Sequence, residues 1–122
     1  MTGLAKAEDG GVPAGPDDNK KRAKAGDFDE KAEIACAQIK GEVLGKCKLS
    51  VARSGGGDAT AVIRFQNSFS RTLYFTDGDF IRGNTTMSGT GKDTEWTLIN
   101  GVYSIRVDDQ RFEIPAALIL GE

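Results

Sequence analysis

From residue 47 onward the chain is written as short alternating segments separated by turn residues, and this punctuation limits the fold more than any other feature. In "CKLSVAR" the period of two places Cys47, Leu49 and Val51 on one face; "ATAVIRFQ" does the same for Ala61, Ile63 and Phe65. The segments "SRTLYFT", "DFIRG", "TEWTLI", "VYSIRV" and "RFEI" follow. They are set apart by Asn67-Ser68, Asp77-Gly78, Asn100-Gly101 and Asp108-Asp109, residue pairs that accept turn conformations. Asn100-Gly101 gives the strongest hairpin signal, with Trp96, Leu98, Tyr103, Ile105 and Val107 sharing a face. "SGGGD", 54 to 58, precedes a strand and has no lysine at Walker spacing, so it reads as a turn and not a phosphate loop.

Upstream the pattern changes. Residues 1 to 26 hold one Leu, one Val and no aromatic residue, which predicts a flexible linker, with the basic run "KKRAK" solvated. In 27 to 40, Asp27 suits an N-cap and Phe28, Ala32, Ala35, Cys36 and Ile39 recur at helical spacing. The expectation is an α+β domain over 27 to 122. Its N-terminal helix would pack on a twisted antiparallel sheet, or partly open barrel, of about seven short strands. Pro115 cannot donate to a ladder, so "IPAALILGE" is expected as an edge strand or short turn.

The two cysteines, Cys36 and Cys47, admit four readings. Zinc needs three or four ligands, and without histidine only carboxylates would complete the set. A redox pair is usually spaced C-x-x-C at a helix start. Two buried cytosolic thiols remain open as an alternative. The favoured reading is a disulfide stapling the helix to the first strand. Closing such a loop contributes roughly 3 kcal/mol in the chain-entropy model, and it implies an oxidising compartment, periplasmic or secreted.

Charge and composition then exclude function classes. With 16 basic against 18 acidic residues, no summed field draws the chain to nucleic acid. No apolar run reaches the roughly 18 residues that span a bilayer, and no signal peptide opens the sequence, so an exported precursor would have lost it. Absence of histidine removes the usual general base and the Ser-His and Cys-His pairs. Asp77, Asp79, Asp108 and Asp109 read as turn residues in preference to a calcium site. Ser88 and Lys92 in "SGTGK" are the one nucleophile arrangement left. The expectation is a monomeric, non-enzymatic domain without a cofactor. It would bind a protein or cell-envelope component through Arg64, Tyr74 and Arg106 on the outer sheet face, or through Ser88, Gly89 and Lys92 in the 83 to 93 loop.

"CKLSVARSGGGDATAVIRFQNSFSRTLYFTDGDF" and "VYSIRVDDQRFEIPAALILGE" resemble a group of small exported proteins from Gram-negative bacteria, over about residues 34 to 122. That resemblance implies a periplasmic β-rich domain and, as the group has no assigned activity, no functional residue. A weaker likeness, carried by Ser88-Gly89 and Lys92, is to the periplasmic inhibitors of c-type lysozyme. It implies a loop that enters the enzyme cleft. A Ser88-Lys92 hydrolase is the second alternative.

Overall fold

The computed structural model describes residues 18 to 121. Each alternating segment forms a strand: β1 Glu30–Ala37, β2 Gly45–Gly55, β3 Asp58–Arg64, β4 Ser70–Thr76, β5 Asp79–Gly83, β6 Thr94–Ile99, β7 Val102–Val107 and β8 Gln110–Pro115. Two short helices, α1 Asp18–Lys24 and α2 Ala116–Leu120, flank them. All eight strands belong to one antiparallel sheet in the order β5-β4-β3-β2-β1-β8-β7-β6, coiled into a nearly closed barrel. The segments expected as half-buried strands keep their faces. Cys47, Leu49, Val51, Ala61, Ile63 and Phe65 point inward with Leu73, Phe75, Tyr103, Ile105 and Phe112.

The helix expected over 27 to 40 is corrected to strand β1. Ile34 lies opposite Cys47 and Ala32 opposite Leu49, while Cys36 lies opposite Phe112 of β8. A short apolar run fits both periods. What decides between them is the neighbourhood, because β1 is the strand that satisfies the ladders of both β2 and β8. Ile39, counted on the helical stripe, is instead 65% exposed in the connection to β2. The strand count rises from seven to eight accordingly.

Helix α1 lies within the stretch expected as linker; residues 1 to 17 of that stretch are outside the described residues. It packs on the outside of the barrel over β2 and β3. Asn19 is buried there: its Oδ1 accepts from the Thr60 hydroxyl, and its Nδ2 donates to Ser54 Oγ at 2.7 Å. Arg22 pins the C-terminal end, donating to Asp27 Oδ2 at 3.0 Å, Asp29 Oδ1 at 2.6 Å and the Arg53 carbonyl at 2.8 Å. Helix α2 follows Pro115 and stops at Gly121, whose φ of 79° is the left-handed conformation that ends helices. Ile119 of α2 is fully buried. Nearby, the Tyr103 hydroxyl donates to the Gly78 carbonyl at 2.5 Å.

Cys36 and Cys47 form a disulfide with their Cα atoms 5.9 Å apart. It joins neighbouring strands diagonally, since Cys36 is directly opposite Gly45 and Cys47 opposite Ile34. The staple expected between helix and sheet therefore lies within the sheet.

Candidate functional site

Alternation along β6, β7 and β8 puts Glu95 and Thr97, Ser104 and Arg106, and Arg111 and Glu113 on the outer face. The connection between β1 and β2 folds back over this face. Glu42 Oε1 accepts from the Gln38 and Ile39 amides, and the Arg111 guanidinium donates to the Glu42 carbonyl, which holds Leu44 above the strands. A groove of about 610 Å³ results, lined by Leu44, Trp96, Thr97, Ser104, Arg106 and Glu113 among others. A second cavity of about 560 Å³ lies on the other side of the arginines, toward Lys40, Asp93 and Asp109.

Arg106 and Arg111 are direct cross-strand partners, an arrangement that is unfavourable for like charges. Acids and carbonyls offset it. Arg106 Nη2 meets Asp93 Oδ1 at 3.1 Å, its Nε meets Glu95 Oε1 at 3.3 Å, and its Nη1 donates to the Asp108 carbonyl at 2.7 Å. Asp93 first, then Glu95, raise the Arg106 guanidinium above its ordinary pKa. The groove is thus a surface of alternating charge under the apolar overhang of Leu44, suited to a ligand carrying both polar and apolar groups.

The six expected binding residues fall in four separate places. Arg106 is in the groove. Arg64 is exposed on β3 beside Lys48 and Glu33, in a smaller depression of about 360 Å³. Tyr74, on the outer face of β4, has the Arg82 guanidinium 4.6 Å from its ring centroid and Lys20 of α1 at 5.4 Å. The cation–π contact with Lys20 makes it a support for α1.

Ser88, Gly89 and Lys92 lie in the connection from β5 to β6, which is anchored from beneath. Arg71, fully buried on the core face of β4, donates from Nε to Gln110 Oε1 at 2.8 Å and from Nη2 to Asp108 Oδ2 at 2.9 Å. Its Nη1 donates to the Asn84 carbonyl, and Asp108 Oδ2 also accepts from the Gly91 amide at 3.1 Å. Gly89, with φ of 137°, packs so closely on Asp108 that a Cβ would lie 2.5 Å from Oδ2, so its part is structural. Met87 is fully exposed at the tip. Ser88 and Lys92 are exposed too, and among the described residues no hydrogen bond joins the Ser88 hydroxyl to the Lys92 ammonium. A general base within reach of the serine is what nucleophilic catalysis requires.

Arg111, Glu113 and Leu44 were not among the expected site residues. For the first two a signal existed: the alternation that turns Phe112 and Ile114 inward turns Arg111 and Glu113 outward. Leu44 had none, because its position depends on how the connection from β1 to β2 folds back through Glu42 and Arg111. Among the described residues no three His, Cys, Asp or Glu side chains gather as a metal site, and no helix is long and apolar enough to cross a membrane.

Fold and groove define a class, that of disulfide-stapled, nearly closed antiparallel barrels with a charged groove on the outer face. No protein-family model, no curated protein and no solved structure matches the chain.

Proposed function

We propose that this chain is an extracytoplasmic binding domain without a catalytic role, taking a protein or cell-envelope component on the outer face of β6, β7 and β8. The observation that carries the reading is the groove between Leu44 and Arg106, where charged and hydroxyl side chains of β6, β7 and β8 lie beneath the apolar overhang of Leu44. The Cys36–Cys47 disulfide supports the compartment, since such bonds persist under oxidising conditions. Capture from a solubilised envelope fraction on immobilised protein tests it. The bound component is expected to be lost with Arg106→Ala combined with Arg111→Ala, and kept with Arg64→Ala. Equal capture by the wild type and the double variant would remove the groove from consideration.

A second reading is favoured by the anchoring of the 83 to 93 connection. A tip carrying Met87, Ser88 and Lys92 on a buried Arg71–Asp108 pair is preorganised, as a loop entering an enzyme cleft must be. Inhibition of c-type lysozyme is the activity this suggests, by the resemblance of Ser88-Gly89 and Lys92. A turbidity assay with excess protein decides: inhibition should weaken with Lys92→Ala, and undiminished lysis by the enzyme ends the idea.

A further inference from the structure

β5 and β6 are the two ends of the sheet and are not hydrogen-bonded to each other. They differ as edges. β5 has five residues and a register shift between Phe80 and Arg82, which leaves Ile81 as a bulge. Short strands and bulges are devices that stop an edge from recruiting another strand. β6 has six residues in unbroken register with β7, with neither lysine nor proline, and Glu95 as its one charge.

The free groups of β6 can be named. Asn100 and Gly101, with φ of 52° and 76°, form the two-residue turn that makes Ile99 and Val102 a hydrogen-bonded pair. At the other end the Asp108 amide donates to the Asp93 carbonyl at 2.8 Å, which fixes the same parity. Glu95, Thr97 and Ile99 therefore spend their backbone groups on β7. Thr94, Trp96 and Leu98 direct theirs to the open edge. Their side chains lie on the inner face, where Trp96 is only partly buried and Leu98 is 43% exposed; Ile99 on the outer face is 62% exposed.

We propose that β6 is the interface of a homodimer, in which two copies pair antiparallel across a twofold axis through Thr97. This differs from the expected monomer. Opposed residues in an antiparallel pair share both face and hydrogen-bonding parity, so the axis must fall on a β6 residue. At Thr97 it sets Trp96 opposite Leu98 of the second copy, as a hydrogen-bonded pair. Glu95 then stands opposite Ile99 of the second copy, no like charges meet, and Glu95 to Ile99 are covered throughout. An axis at Trp96 would oppose two indoles and leave Ile99 beyond the paired segment. Self-complementarity of this kind is what a twofold interface requires, and it favours a second copy over an unrelated peptide.

Sedimentation velocity over a roughly hundredfold range of concentration tests the proposal, since assembly follows mass action. Wild type should move toward twice the monomer mass. Leu98→Lys should stay monomeric with an unchanged circular dichroism spectrum, as should Leu98→Pro, which deletes an amide facing the open edge and none facing β7. Under mild oxidation Thr97→Cys should form a 97–97 disulfide far faster than Ser70→Cys, an exposed control on β4. A wild type that is monomeric throughout, a dimer that survives Leu98→Lys, or equal cross-linking of the two cysteine variants would each overturn it. A monomer that captures an unrelated strand peptide at β6 also overturns it. The groove around Arg106 is tested separately and survives any of these outcomes.

Discussion

The Arg71 guanidinium, with no exposed surface, lies 2.9 Å from the carboxylate of Asp108, a residue held at a φ of 52° in the turn between β7 and β8. This contact joins β4, the β7–β8 turn and the connection carrying Gly89 and Gly91. Removing one member of a buried pair leaves the other uncompensated, at a cost of about 3–5 kcal/mol. Asp108→Asn keeps a residue type that accepts the left-handed backbone, removes the charge and turns one acceptor oxygen into an amide donor. It is expected to destabilise strongly in urea unfolding and to raise amide exchange at Gly91. Arg71→Met with Asp108→Asn should cost less than the sum of the single changes, and strict additivity would show that the two do not act as a pair.

Replacing both cysteines by serine tests the staple between β1 and β2. The loop closed is short, with a sequence separation of 11, and the chain-entropy model puts its loss at roughly 3 kcal/mol. For a domain of this size that corresponds to a fall in thermal midpoint of roughly 10 °C. The variant should still fold, because the ladder from Glu30 to Cys36 does not depend on the bond. A midpoint unchanged on full reduction of the wild type would mean that the ladder alone holds the two strands.

These two contacts also show what could be read without a structure. Cys47 to Phe65 and Trp96 to Val107 kept the faces their alternation assigned, because a period of two over well-spaced turns has few competing interpretations. Arg71 was legible in principle. The alternation that turns Leu73 and Phe75 inward places Arg71 with them, and an arginine on a core face needs a buried acid to meet it. Residues 27 to 40 went the other way, since Asp27 and the spacing of Phe28, Ala32 and Ile39 mimic a helix start. Only the unfilled ladders of β2 and β8 select the strand, and those are long-range facts. Asn19 gave no local signal at all. Its partners, Ser54 and Thr60, are 35 and 41 residues away in sequence.

Asn19 is expected to be the clip that holds α1 to the barrel. Its amide is buried and engages the hydroxyls of Thr60 and Ser54, and seven residues of helix are too few to persist without such contacts. Asn19→Ala leaves the Thr60 hydroxyl, itself buried, without this acceptor, at a cost of about 1–3 kcal/mol. Limited proteolysis should then cut first at Lys20 to Lys24, while the sheet remains intact. Cleavage at the same rate in wild type and variant would show that Arg22 alone suffices as an anchor.

Arg22 supplies the pH dependence of that end of the molecule. Its hydrogen bond to Asp29, helped by the Arg53 amide at 2.7 Å, holds the Asp29 carboxyl below its ordinary value of 3.8. A carboxyl with a folded pKa below its unfolded one stabilises the fold fully above the unfolded value, about 3.9. That contribution disappears as pH falls from there through the folded value, because the unfolded chain then takes up the proton first. The Asp29 side chain is 32% exposed, so solvent screens the pair and the effect is modest, under about 1 kcal/mol. In urea titrations Asp29→Asn should be less stable than wild type at neutral pH, and the difference should close in acid. If the difference persists unchanged to the acid end, the loss belongs to the hydrogen-bond geometry around Arg53 and not to the charge on Asp29.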